Sequence, residues 1–297
     1  MSETLERLLS RLENLEAIEP LVSSMRILSL STVQFAINRR EFLETYQSEY
    51  LQIIAQLEAL KKENPKKAFH WKKPDETMPV ATGKKLLIVL GSDRGIVGQY
   101  NRQLSSMAEN WAGENPQGQI LSFGTRLIST MRQLLNIPFE RGGTLVKGYS
   151  PDYERISPMI AEWQQAIDAG DIEAVEVLSF RNTRGSTYRP MVTPWLPLTD
   201  TFLRPELQTE IWPLPILEED PALLMERIRT HMVTLTFYIM LFEAIAAENT
   251  SRYARLEEAK ENLESLLSEL SLEIQIGKRQ AVTSQIQEIA VAAGLVK

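Results

Sequence analysis

Ile228, Met232, Leu235, Ile239, Phe242, Ala246, Asn249, Tyr253, Leu256, Lys260, Leu263, Leu267, Leu270 and Ile274 follow one another in strict steps of four and three. Twelve of these fourteen residues suit an apolar seam, and only Asn249 and Lys260 object. Apolar residues sustained at this interval specify a coiled coil, because the seam must keep facing one partner. The helical pattern runs from 222 to 293 and would reach roughly 100 Å at about 1.5 Å per residue. A helix of that length cannot bury its seam on a compact domain of ordinary size, so it requires a second helix.

The other end of the chain supplies one. Residues 2–63 contain no glycine and a single proline, Pro20. Leu5, Leu8, Leu12, Leu15, Ile18, Val22, Met25 and Leu28 recur in steps of three or four, the spacing of an amphipathic helix. The stretch reads as one long helix or as two joined at Pro20, since an interior proline costs ~3 kcal/mol and kinks a helix. With the rest of the chain between them, the two arms run antiparallel.

Residues 64–83 read as a linker, broken by Pro65, Pro74, Pro79 and Gly83. Its lysine pairs (Lys61-Lys62, Lys66-Lys67, Lys72-Lys73) suit a solvated connector better than a nucleic-acid patch, because the chain as a whole is acidic. From 84 to 221 the pattern changes. Lys85-Leu86-Leu87-Ile88-Val89-Leu90 is a short apolar run ending in Gly91, as a buried strand would be. Residues 119–124 and 173–180 give two further strands, and 100–112, 126–135 and 150–169 read as helices, so a small α/β sheet is expected. Seven prolines between Pro190 and Pro221 make that stretch extended or looped. The organisation is therefore a helix over 1–63, a linker over 64–83, an α/β domain over 84–221 and a helix over 222–297.

Composition removes several functions. The chain has 297 residues, no cysteine and two histidines, His70 and His231. Thiolate chemistry and disulfides are excluded, and a zinc site lacks ligands. A formal charge of −7 disfavours nucleic acid or anionic lipid as the main partner. The N-terminus has no apolar core of a secretory signal. The longest apolar stretch, Tyr238 to Ala247, is ten residues with Glu243 inside it, short for a membrane span. His231, Tyr238, Met240 and Phe242 read as helix packing, not as a base or a cofactor box.

Gly91-Ser92-Asp93-Arg94-Gly95-Ile96-Val97-Gly98 follows a strand and precedes a helix, where a phosphate loop would sit. It matches neither the P-loop nor the G-x-G-x-x-G pattern. A tight turn with paired Asp93 and Arg94 is the plainer reading. Toward the end, Gly277 to Ala290 stays helical in pattern but turns smaller and more polar, without a broad apolar stripe. Such an end is either frayed or sheathed by another protein.

Two segments together carry a family likeness. Ser92-Asp93-Arg94-Gly95-Ile96-Val97-Gly98-Gln99-Tyr100-Asn101 resembles the Ser-Asp-Arg-Gly-Leu-Cys-Gly-Gly-Leu-Asn signature of the gamma subunit of F-type ATP synthase, and Lys278 to Ile289 resembles that family's C-terminal signature. Glu248, Arg252, Ala259 and Asn262 fall on its Ser-Glu-x-x-x-Arg and Ala-x-x-Asn pattern, Met25-Arg26-Ile27-Leu28 is similar to its Met-Lys-Met-Val, and Trp195-Leu196-Pro197 to its Leu-Leu-Pro. The resemblance implies a Rossmann-like α/β domain flanked by long helices in an antiparallel coiled coil. It further implies a rotor shaft that turns inside alpha and beta subunits and stands on the epsilon subunit and the ring of membrane c subunits. The shaft itself has no catalytic residue, no cofactor and no metal. It would touch the membrane only through partners, on the cytoplasmic face of a bacterial plasma membrane.

By the same resemblance, Met25, Arg26, Glu248, Arg252, Arg279, Gln280, Thr283 and Glu288 face the alpha/beta hexamer, and Ser92, Asp93, Arg94, Gly95 and Gly98 form the signature turn. The chain departs from the family in its first helix. Glu16, Glu19 and Pro20 stand where basic helix formers are usual, and residues 1–63 hold ten acids against seven bases. Gly277 and Gln99 also replace family residues. A rotor shaft, divergent paralogues included, a coiled-coil scaffold without rotary work, and a nucleotide enzyme built on the Gly91–Gly98 turn are the competing readings.

Overall fold

A computed structural model describes residues 3–63, 84–183, 187–198 and 217–292. The expected linker over 64–83, with His70 and two of its lysine pairs, lies outside the described residues. Two very long helices bracket the chain, α1 (Glu3–Glu63) and α5 (Pro221–Ala292). Between them run β1 (Lys85–Leu90), α2 (Tyr100–Glu114), β2 (Gln119–Phe123), α3 (Thr125–Leu134), β3 (Glu140–Gly143), β4 (Val146–Lys147), β5 (Ser150–Pro151), α4 (Tyr153–Ala169), β6 (Ala174–Thr183) and β7 (Thr187–Leu196). The contacts divide the chain into two units, one of Met1–Ser31 with Arg252–Lys297 and one of Thr32–Ser251.

The larger unit is built on a five-stranded sheet in the order β3-β2-β1-β6-β7. β1 pairs in parallel with β2 and β6, β2 in parallel with β3, and β7 closes the other edge antiparallel to β6. β1 is central, with Ile88 opposite Leu121 on one side and Val177 on the other. Its alternation divides the core. Leu87 and Val89 pack with Leu104, Ala108 and Trp111 of α2 and Leu127 and Met131 of α3. Leu86, Ile88 and Leu90 pack with Ile156, Ile160 and Trp163 of α4 and a large set from α5. This two-sided burial explains why β1 reads as a continuous apolar run. Trp195, Trp163 and Phe237 form the centre of the second layer, with ring centroids 4.8–5.8 Å apart.

One expectation shifts and two open readings are decided. Residues 150–152 do not join α4, because Pro151 sits in the β4–β5 hairpin opposite Val146. The proline-bearing stretch, read as extended or looped, is a strand over Thr187–Leu196 at the sheet edge, while 199–216 lie outside the described residues. Pro190 pairs opposite Phe180 and Pro194 opposite Glu176. A proline can stand in a strand only where its missing N–H would face away from the neighbour. α1 runs unbroken through Pro20. Pro20 is exposed, so water solvates the carbonyl it leaves unpaired.

In the larger unit α1 and α5 run antiparallel, with Phe35 edge-on to Phe242 and Tyr50 stacked on His231. The smaller unit is a pair of helix segments alone, again antiparallel: Arg26 bonds Glu257, and Leu5 lies beside Gly277. On α5 the expected seam holds throughout, with Leu256, Leu263, Leu270 and Ile274 buried. The two objections are accommodated locally. Asn249 donates to the Ile245 carbonyl at 2.9 Å, and Lys260 reaches Glu264 at 3.1 Å while its stem covers the seam.

Candidate functional site

The turn after β1 is held by its own side chains. The Ser92 N–H donates to Asn101 Oδ1 at 3.1 Å, Asn101 Nδ2 returns a bond to Ser92 Oγ at 2.7 Å, and Ser92 Oγ donates to the Arg94 carbonyl. The Ser92 carbonyl accepts from the N–H groups of Arg126 and Leu127 at the start of α3. Asp93 binds the neighbouring loops. Its carboxylate accepts from the Thr125 N–H at 3.0 Å and from the Thr144 hydroxyl, so it ties three loops at the carboxyl end of the sheet.

Two glycines are required by space. A Cβ on Gly91 would come within 2.3 Å of the Leu127 side chain, and Gly124, at φ +102°, would clash with the Gly91 backbone at 2.6 Å. Gly95 has open space around it and no positive φ, while Gly98 turns the chain at φ 56° after Ile96 at φ 61°. The N–H groups of Gly91 and Ser92, which a phosphate loop would aim outward, donate to Phe123 O and Asn101.

In open α/β sheets, ligands enter the crevice where strand order reverses, here between the carboxyl ends of β1 and β6. α5 fills that place. Glu243 accepts from the Asn182 N–H at 2.8 Å and from Arg181 Nε at 3.1 Å, and the Tyr100 hydroxyl donates to the Ala244 carbonyl at 3.3 Å. Tyr100 stacks on Phe180 at 4.3 Å, and Ala247 joins the same cluster. Among the described residues no group of three His, Asp or Glu side chains is placed to hold a metal ion.

The helix pair of the smaller unit is unusual in what it turns outward. The α1 seam runs through Leu5, Leu8, Leu12, Leu15, Glu19, Val22, Arg26 and Ser29. Up to Leu15 the seam follows the apolar residues, as the spacing predicts. Beyond it the two separate: Ile18, Met25 and Leu28 keep the helical spacing but lie exposed, with Leu21, Ile27 and Leu30 beside them. Polar groups fill the inside instead, Arg26 on Glu257 and Ser29 bonded back to the Met25 carbonyl at 2.9 Å. The end of α5 behaves alike. The sequence there reads as polar, yet Leu272, Ile276, Val282, Ile286, Ile289 and Val291 are all exposed. α1 begins at Glu3, with Leu5 beside Gly277, so the residues after Gly277 extend past the described start of their partner.

The residues singled out from the sequence distribute accordingly. Met25 is exposed, Arg26 half-buried on Glu257, Glu248 half-buried and Arg252 buried. Arg279, Gln280 and Thr283 are exposed, with the Thr283 hydroxyl turned back to the Arg279 carbonyl at 2.9 Å. The Glu288 side chain lies outside the described residues.

The ATP synthase family model matches residues 4–294. The chain belongs to the ATP synthase gamma family. The ATP synthase gamma chain of Methylobacillus flagellatus is 22% identical over 293 residues, covering 97% of each chain. That of Chlorobium chlorochromatii is 23% identical over 307 residues, covering 98% of each. A chain of the Euglena gracilis mitochondrial ATP synthase rotor superposes with a TM-score of 0.59 at 14% identity, over 95% of this chain and 100% of that one. A chain of the Tetrahymena thermophila central stalk and c-ring gives 0.54 at 12% identity, over 80% and 99%. The fold is thus that of ATP synthase central stalks.

Within this gamma-family fold, two groups escaped the sequence reading. Glu243 was legible only as a break in an apolar run, and Glu257 as one more surface acid. The Glu257–Arg26 hydrogen bond holds the Glu257 carboxyl below its ordinary pKa and the Arg26 guanidinium above its own. A carboxylate with a depressed pKa in the folded state contributes stability that is present above the ordinary carboxylate range and fades as pH falls through the depressed value. Glu257→Gln should therefore lower the melting temperature near neutral pH and make no difference in strong acid. Thermal melts of both forms across pH test this, and a pH-independent difference would refute it.

Proposed function

We infer that the chain is the central rotor shaft of a rotary F-type ATP synthase or ATPase, coupling ion flow through a membrane ring of c subunits to ATP synthesis or hydrolysis in the alpha/beta hexamer. The observation that carries this reading is the inverted helix pair. Apolar side chains on α1 (Ile18, Leu21, Met25, Ile27) and on α5 (Leu272, Ile276, Val282, Ile286, Ile289) stay 40–68% exposed among the described residues. By length and composition both α1 and α5 could cross a membrane, but the apolar window of α5 is 83% buried, whereas that of α1 is 22% buried. The α1 surface therefore needs an outside cover, and a protein sleeve fits a helix pair whose inner seam already carries a charge pair. Apolar contact is non-directional, so a shaft greased in this way meets no deep angular well, whereas a ring of ion pairs would create one.

Residues 1–63 and 222–297 form the shaft in this reading, and 84–221 the domain that meets epsilon and the c ring. The chain itself is non-catalytic and binds no nucleotide, since α5 occupies the crevice of its sheet. It reaches the membrane through its partners, on the cytoplasmic face in a bacterium. Met25, Arg279, Gln280 and Thr283 form the contact face toward alpha and beta, with Glu288 beyond them, while Arg26, Glu248 and Arg252 support it from half-buried or buried positions.

Co-expression with its alpha and beta partners tests the reading. The expected product is a complex with three copies of each per copy of this chain, whose ATPase drives rotation. Failure to assemble with both would overturn it. Within that complex, Arg279→Ala should assemble normally and leave the melting temperature of the isolated chain unchanged, because an exposed charge contributes only ~0–1 kcal/mol. The rate of ATP hydrolysis or its coupling to ion pumping should change. Identical hydrolysis and pumping would show that Arg279 is plain surface.

A further inference from the structure

Glu243 sits inside the most apolar run of the chain and is 5% exposed. A carboxylate in that position is costly unless it is paired and hydrogen-bonded. Its partners come from separate elements. Oε2 accepts from Arg181 Nε on β6 at 3.1 Å, Oε1 accepts from the Asn182 N–H at 2.8 Å, and Arg40 Nη1 of α1 lies 3.9 Å from Oε1. Arg181 Nη1 also donates to Thr193 of β7 at 3.3 Å, and Arg40 Nε lies 3.3 Å from Glu44. One side chain of α5 thus fastens α1, β6 and, through Arg181, β7.

Static stability does not call for such a node, because a well-packed apolar replacement for a buried ion pair is often as stable. What apolar packing lacks is direction. Oily surfaces re-form contact after a small slip, whereas a charge-assisted hydrogen bond is lost when its donor moves out of range or out of line. The position of the node suits a load. Both long helices pass from one contact unit to the other, α1 at Ser31–Thr32 and α5 at Ser251–Arg252. Arg40 and Glu243 stand about two helical turns inside the larger unit on each helix.

We propose that Glu243 is the pin through which twisting load passes between the two long helices and the sheet, with Arg181 and Arg40 as its counter-charges. This rests on the rotor reading. Glu243 is a positioning residue in this scheme, and it touches no partner and no nucleotide.

The test is single-molecule rotation of the assembled complex, with the alpha/beta head fixed and a bead on the sheet-bearing part. Angular fluctuation of the bead during pauses reports torsional stiffness. Charge-assisted bonds are roughly twice as strong as neutral ones, so Glu243→Gln should lower stiffness about twofold. Arg181→Gln, at a half-exposed position, should soften the shaft in the same direction and serves if the first variant fails to assemble. Arg181→Lys, which keeps the charge, should stay near wild type. A merely structural role would lower melting temperature and leave stiffness at working temperature unchanged. Wild-type stiffness in both Gln variants would overturn the pin. A wild-type complex that assembles but does not rotate would overturn the rotor reading itself.

Discussion

Leu256→Asp is expected to unzip the helix pair of the smaller unit while leaving the sheet intact. Leu256 is 1% exposed in the seam, next to the Arg26–Glu257 pair. An aspartate there loses apolar burial and adds a second carboxylate beside Arg26, whose guanidinium Glu257 already occupies. Burying a polar group without a partner costs roughly 2–7 kcal/mol, and an ionised one more. This unit has no third layer to absorb the loss, being formed from Met1–Ser31 and Arg252–Lys297 alone. Far-UV circular dichroism should show a large loss of helix, while the near-UV signal of Trp163 and Trp195 persists. In the assembled complex, ATP hydrolysis should no longer pump ions. An unchanged melting curve with full helicity would sink the coiled-coil account of residues 252–292.

Trp195→Ala should have the opposite distribution, collapsing the sheet-bearing unit. Trp195 is fully buried, with Trp163 edge-on at 5.8 Å, Phe237 at 4.8 Å and its indole N–H on the Val233 carbonyl at 3.2 Å. Truncating a buried Trp costs about 3–5 kcal/mol, the transfer loss plus the cavity left behind. The Val233 carbonyl keeps its place in the helix ladder, so the cavity rather than an orphaned acceptor dominates. Chemical denaturation followed by near-UV signal gives the magnitude, and a loss below about 1 kcal/mol would mean that the site refills by collapse.

Much of this architecture is legible in the residues. The seam of α5 could be counted off from Ile228 to Ile274, because a coiled coil repeats a rule that depends on spacing alone. β1 announced itself because a strand buried on both faces leaves no polar residue in its run. The first helix misled beyond Leu15. Its apolar positions keep helical spacing through Ile18, Met25 and Leu28, but spacing names a face without saying what covers it. There the inner face is settled by a pair 231 residues apart, Arg26 with Glu257. β3 was invisible because Glu140-Arg141-Gly142-Gly143 carries no apolar side chain, and only pairing with β2 makes it a strand. Glu243 was hidden for the same reason as Glu257: its meaning lies in Arg181, Asn182 and Arg40, all distant along the chain.

Pro190 and Pro194 lie on β7, the exposed border of the sheet. A border strand normally offers amide donors to any passing strand, and imino residues withdraw them. Two copies of this chain therefore have poor means of pairing through their β7 borders. For an axle this matters more than for most proteins. In the rotor reading the surrounding subunits repeat and the axle does not, so its copy number is to stay at one. Self-association would put a second axle beside the first and block assembly before any torque is made. Two missing hydrogens thus guard one border of the axle against its own copies.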